Sequence, residues 1–222
     1  MTTMTLRVAM AGLAALCGLS LALSAFVLTN GDMRRALRVA LGQKIAFVYP
    51  PRVIVVGDSL GERCSWSGLS KRPFGVYNLA LGGATIKEIA GQIPRSYLHP
   101  AAAYLLIDGG LNDVLFDDSP LAQIENDYRA LMRRVDQGKT PVVTLMPYVS
   151  DPNMTARIDA GNAVIRRLCA ERPGCVALDL NPLVSADGVR RPEMTDDGIH
   201  FSDRANAVWV EAVRRAIAQA GG

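Results

Sequence analysis

The chain has 222 residues, half of them apolar, with 24 Lys+Arg against 21 Asp+Glu and two histidines. A soluble part of roughly 175 to 190 residues is the size of one ordinary domain around one core, so a single domain is expected. The near-neutral balance, with no run of Lys/Arg interleaved with aromatics, argues against nucleic acid as a partner.

The first element is VAMAGLAALCGLSLALSAFVLT, residues 8–29, which holds no charged residue. About 20 apolar residues span a bilayer as a helix, more than the ~7 to 15 of a signal-peptide core. Residues 1–30 therefore read as a membrane anchor, with a signal peptide cleaved after Ser24 or Ala25 as the rival. Arg34, Arg35, Arg38 and Lys44 follow it and suit lipid headgroups. By the positive-inside rule they favour a cytoplasmic domain. An extracytoplasmic, periplasmic domain is nevertheless expected, partly because Pro173 and Gly174 form a short turn in CAERPGC that could bring Cys169 and Cys175 within bridging distance. Two half-buried thiols are the equal alternative. Nothing in the Cys/His spacing suggests zinc.

Residues 31–50 read as an amphipathic helix or linker, stopped at Pro50-Pro51, with the main domain over 51–222. The β-branched run of VIVVGDSLGE (53–62) starts it, and further apolar runs follow at 75–81, 102–108, 140–146 and 174–180. Helix-like stretches fall near 85–93, 120–136, 155–171 and 203–219. Five strands alternating with helices predict an α/β fold, a parallel sheet in a three-layer α/β/α sandwich. Strands rich in Val and Ile want cover on both faces, and Ser59 then sits at the carboxyl edge, where such sheets place ligands.

A serine nucleophile needs a base, a group orienting that base, and donors for the oxyanion. His99, beside Pro100, reads as a structural residue of a surface loop. His200 lies in TDDGIHFS, and Asp197 precedes it by three residues through a glycine turn, so that its carboxylate can fold back onto the imidazole. Asp196 is a weaker candidate for the same role. Oxyanion donors are offered by the Gly82-Gly83 turn after the second strand and by the Asn112 side chain after the third. All of these fall beyond carboxyl ends of strands or in the late loop.

Gly57-Asp58-Ser59-Leu60, the Gly83 turn in NLALGGAT, Gly110-Leu111-Asn112-Asp113 and Asp197-Gly198-Ile199-His200 resemble, in order, the four sequence blocks of the SGNH, or GDSL, hydrolase superfamily. The resemblance implies a flavodoxin-like sandwich of five parallel strands with Ser59 as nucleophile, His200 as base and Asp197 as its partner. It implies an oxyanion hole of the Ser59 N–H, the Gly83 N–H and Asn112 Nδ2. Gly83 is preferred to Gly82 because the family places this glycine two before the threonine, here Thr85. Gly57 to Gly61 also satisfies G-x-S-x-G, the elbow of α/β-hydrolases, but here the serine follows the first strand and acid and base are three residues apart.

The implied activity is hydrolysis of carboxylic esters, of short acyl or O-acetyl groups, with no metal or cofactor. The substrate would be a small acyl ester or an acylated sugar. The loops 147–155 and 181–195, with Tyr148, Met154 and Arg191, would overhang the site. An acyltransferase acting on an envelope glycan and a tethered, non-catalytic binding module are the alternatives.

Overall fold

The computed structural model describes residues 50–70 and 75–220, with positions 26, 29, 30, 33 and 37 in addition. The expected anchor over 1–30 and linker over 31–50 lie outside the described residues but for those positions and Pro50. Among the described residues no helix is long and apolar enough to cross a membrane. The chain divides into two units, Met1–Ile45 and Ala46–Gly222, and the elements below belong to the second.

Five strands form one parallel sheet: β1 Val53–Val56, β2 Val76–Asn78, β3 Tyr104–Ile107, β4 Thr140–Thr144 and β5 Val176–Leu178. Their order is β2-β1-β3-β4-β5. The inner strands β1 and β3 are buried at every residue, as apolar runs covered on both faces must be, whereas the edge strands β2 and β5 are partly exposed. The helices are α1 Ser59–Arg63, α2 Ile86–Gln92, α3 Leu111–Leu115, α4 Leu121–Arg133, α5 Thr155–Ala170, α6 Asn181–Val184 and α7 Asp203–Ala220.

Helix faces follow the apolar spacing. In α4, Ile124, Tyr128, Leu131 and Met132 are buried, and in α7, Ala205, Trp209, Val210, Val213 and Ala216. These sets repeat every three or four residues, so each helix turns one stripe to the core. Helix α4 packs between α2 and α5, while α7 packs on β4, β5 and the turn 66–69. The sheet with its flanking helices is the expected three-layer arrangement.

The four helices expected near 85–93, 120–136, 155–171 and 203–219 form. The strands at 76–78, 104–107, 140–144 and 176–178 are shorter than the apolar runs that announced them, because those runs extend past the ladder into the neighbouring loops. Three short helices, α1, α3 and α6, and a small antiparallel hairpin, β6 Ser185–Ala186 with β7 Val189–Arg190, were not anticipated. Cys169 and Cys175 are joined by a disulfide that closes the end of α5 back onto the start of β5. His99 is not on the surface: it is 4% exposed, with its ring edge-on to Tyr77 at 5.2 Å. The Lys139 ammonium donates to its carbonyl, which holds this loop inward.

Candidate active site

The strand order places the chain's reversal between β1 and β3, since the path goes outward from β1 to β2 and then returns to the other side. Such a switch point leaves a crevice beyond the carboxyl ends of the two strands. Ser59 follows β1 and Asn112 follows β3, so sequence segments about fifty residues apart meet there.

The exit of β1 is clamped. Gln92 accepts the Gly57 N–H at 2.9 Å and donates to the Gly57 carbonyl at 3.0 Å, acting as a surrogate strand partner. Asn162 does the same for Met146 beyond the end of β4, with both bonds at 2.8 Å. Asp58 then caps α1, its Oδ1 accepting the Leu60 N–H at 2.9 Å. Ser59 is the first residue of that helix, where a backbone N–H has no intrahelical acceptor.

His200 Nε2 lies 2.9 Å from Ser59 Oγ, and His200 Nδ1 lies 2.6 Å from Asp197 Oδ2. The loop holding the pair is built by short-range bonds. Asp197 Oδ1 accepts the N–H groups of Ile199 and His200 at 3.0 and 2.7 Å. Thr195 donates its hydroxyl to the His200 carbonyl at 2.7 Å and accepts the Gly198 N–H at 2.9 Å. The His200 backbone N–H first, and its ring second, hold the Asp197 carboxyl well below the usual carboxylate range. An ionised Asp197 calls for a proton on Nδ1, which leaves Nε2 free to accept from the serine hydroxyl. Asp196 meets His200 only through its backbone, its N–H donating to the His200 carbonyl at 3.2 Å.

The two glycines of the second loop separate clearly. The Gly82 N–H donates to Glu62 Oε2 at 2.8 Å. Gly83 is exposed, has φ of +76°, and its N–H has no partner among the described residues. That left-handed backbone suits glycine. Thr85, two residues on, starts α2 with a capping box shared with Glu88. Asn112 is 9% exposed, and its Nδ2 donates to the Ala84 carbonyl at 2.9 Å. That bond uses one of the two amide hydrogens and fixes the direction of the other. Asp113 Oδ2 accepts the Ile86 N–H at 3.0 Å and so joins the two loops.

The expected specificity residues are bonded or packed within the fold. Tyr148 donates its hydroxyl to Asp159, Met154 packs against the core, and Arg191 donates to the Leu183 carbonyl at 3.3 Å. Residues the sequence did not single out surround the site. Arg190 is 2% exposed, stacks over Phe201 at 4.3 Å, and stands near enough for the charge of Asp197 to act on it, though burial pulls it down to about 10. Phe201 packs edge-on to Trp209, which packs edge-on to Trp66, and Trp66 donates to the Gly61 carbonyl at 2.9 Å. This aromatic chain couples the His200 loop to α1. Among the described residues no group of three or more His, Cys, Asp or Glu is placed to hold a metal ion.

The model of the GDSL-like lipase/acylhydrolase family matches residues 55–208. A search of curated protein sequences gives no match. Among solved structures, a lipase/acylhydrolase from Enterococcus faecalis is similar at 18% identity and a TM-score of 0.64, over 75% of this chain and 95% of that one. A carbohydrate esterase family 3 structure from Talaromyces cellulolyticus has 18% identity and a TM-score of 0.62, over 76% and 97% of the two chains. The C-terminal catalytic domain of Streptococcus pneumoniae peptidoglycan O-acetyltransferase A has 16% identity and a TM-score of 0.61, over 77% and 94%. At these identities the likeness speaks for the fold.

Proposed function

The chain belongs to the GDSL-like lipase/acylhydrolase family, and from that premise we propose that it is a carboxylic ester hydrolase in which Ser59 is the nucleophile, His200 the general base and Asp197 its orienting acid. The observation that carries this reading is the continuous run from Asp197 Oδ2 to His200 Nδ1 at 2.6 Å and from His200 Nε2 to Ser59 Oγ at 2.9 Å.

The steps follow from that geometry. His200 Nε2 takes the hydroxyl proton as Ser59 Oγ attacks the ester carbonyl. The negative charge then grows on the former carbonyl oxygen, and three donors serve it: the Ser59 N–H, the Gly83 N–H and the second amide hydrogen of Asn112. The imidazolium, steadied by ionised Asp197, returns the proton to the leaving alcohol. Water, activated by the same imidazole, releases the acyl group.

The substrate class is a small acyl ester or an O-acetylated sugar, in line with the carbohydrate esterase among the similar structures. A second reading, transfer of the acyl group to a glycan hydroxyl, is favoured by the likeness to the O-acetyltransferase catalytic domain and uses the same residues. The proposal includes an anchor over 1–30, a linker over 31–50 and an extracytoplasmic domain over 51–222, for which the apolar segment 8–29 and the Cys169–Cys175 disulfide are the support. Alkaline phosphatase fused to the C-terminus tests the orientation, and activity of the fusion in intact cells is the expected outcome.

The test of the activity is hydrolysis of p-nitrophenyl acetate, butyrate and octanoate by the full chain beside Ser59→Ala and His200→Ala. Both variants should lose turnover by about 10⁴-fold or more. Equal activity in all three proteins would overturn the assignment.

A further inference from the structure

Beneath Ser59 lies a pair of carboxyl groups that the steps above do not use. Asp58 and Asp108 are 1% and 4% exposed. The sheet register brings them together: Val56 stands opposite Ile107, so the chain leaves β1 and β3 at the same level, and the Asp108 N–H donates to the Val56 carbonyl at 3.2 Å. The Asp108 side chain then turns under α1. Its Oδ2 accepts the Gly61 N–H at 3.2 Å. Its Oδ1 lies so close to the backbone that a Cβ added at Gly57 would meet it at 1.8 Å and one at Gly61 at 2.4 Å. Gly57 and Gly61 are the space this carboxyl occupies.

Asp108 Oδ1 is fully buried and has no hydrogen-bond partner of normal geometry, although the backbone N–H of Asp58 stands near enough to the carboxyl to favour its charged form. The Asp58 carboxyl is its neighbour: Asp58 and Asp108 accept the N–H groups of the adjacent residues Leu60 and Gly61, and each acid acts on the ionisation of the other. Two carboxylates offer only acceptors, so a hydrogen bond between them requires a proton on one. Leaving both ionised would put two like charges in contact away from water, the arrangement in which paired acids keep a proton. The other titratable groups facing the pair are His200 opposite Asp58, and Cys64 and Tyr128 around Asp108, with Asp113 beyond Tyr128. Burial pushes the Cys64 thiol up to about 12 and the Tyr128 hydroxyl well above its usual value, so both stay neutral. No lysine or arginine stands among these groups to offset a second negative charge. Burial raises both acids, and the charge of Asp58 raises Asp108 further.

We propose that Asp108 and Asp58 hold one proton between them, carried on Asp108 Oδ1 and donated to Asp58, and that this clasp positions the start of α1 and with it the Ser59 hydroxyl and N–H. Asp58 holds the Leu60 N–H and Asp108 holds the Gly61 N–H, so the joined carboxyls grip two successive amides of the helix that begins with Ser59. Loss of the shared proton drives the carboxyls apart, releases that grip and adds a negative charge facing His200 and the oxyanion position. Turnover then falls while substrate binding is little changed. Asp58 and Asp108 are positioning residues, and the effect on turnover rests on the hydrolase reading given above.

Asp108→Asn tests this in the full chain. An asparagine can accept the Gly61 N–H and donate to Asp58, with no proton to lose. The expected result is a kcat close to wild type at neutral pH, without the alkaline decline in kcat that the wild type shows. Asp108→Leu, which removes both bonds, should lower kcat by about 10²-fold with KM nearly unchanged. Independently of activity, carbon-13 spectra of aspartate-labelled protein should show one neutral carboxyl at neutral pH that is absent from Asp108→Asn. An alkaline limb in Asp108→Asn equal to that of the wild type, or no neutral aspartate at neutral pH, would overturn the proposal. The spectra decide on the clasp even for a protein that hydrolyses no ester.

Discussion

The two halves of the site are held by opposite means. Ser59 stands on a buried elbow whose carboxyls, Asp58 and Asp108, are sealed from water, whereas the Asp197 side chain on the His200 loop is 49% exposed. The elbow depends on long-range packing: strand register, the Gln92 clamp, and the Trp66–Trp209–Phe201 contacts. The loop depends on bonds between residues two to five apart. The same chemical group is therefore driven in opposite directions. Asp197 is held ionised by N–H donors, and the buried acids are pushed toward their neutral forms. Ser59 is placed by the core and His200 by local turn chemistry.

The largest expected effect comes from breaking the loop alone. Asp197→Asn keeps the shape but places an amide where the imidazole needs a carboxylate, and kcat should fall by about 10² to 10⁴-fold with the thermal midpoint little moved. Equal losses in kcat and in stability would show that the loop is not local. Asn112→Ala, on the elbow side, should cost about 10² to 10³-fold in kcat through the lost oxyanion donor.

Trp209→Ala attacks the packing that joins the halves. Its ring is 1% exposed and its N–H reaches Thr144 Oγ1 at 3.1 Å. Denaturant unfolding should report a loss of about 3 to 5 kcal/mol, accompanied by weaker turnover as the elbow and loop drift apart. The smallest effect sharpens the electrostatic contrast. Burial raises the Asp113 carboxyl from 3.8 to about 6. A raised folded value means that the native state holds the proton more tightly than the unfolded chain. Stability from this group is thus full below 3.8 and is lost as pH rises through about 6. Asp113→Asn keeps an acceptor for the Ile86 N–H, so its stability should fall less than that of the wild type across this window, as read by thermal melts.

Much of this was legible from the sequence, for reasons that differ by element. The parallel sheet was visible because β1 and β3 are unbroken apolar runs. Ser59, Gly83, Asn112, Asp197 and His200 could be named because each lies in a short motif whose residue types announce a turn, a donor or a base. The preference for Gly83 over Gly82 came from the family pattern, and the Glu62 carboxylate that occupies the Gly82 N–H was not foreseeable. The Asp58–Asp108 contact was hidden because it depends on the register of two strands fifty residues apart. Arg190 was hidden for a similar reason, since a buried arginine behind Phe201 looks in sequence like any loop cation. His99 read as a surface residue because a polar side chain beside proline carries no sign that Tyr77 and Lys139 close over it.

The most direct test of the central claim is covalent labelling by a fluorophosphonate probe, with the modified residue identified by peptide mass analysis. The account predicts a single adduct on Ser59 that forms at least about 10³-fold more slowly in His200→Ala, because the base no longer takes the hydroxyl proton. A folded wild-type protein that takes no label at Ser59, or takes it equally fast without His200, would contradict it.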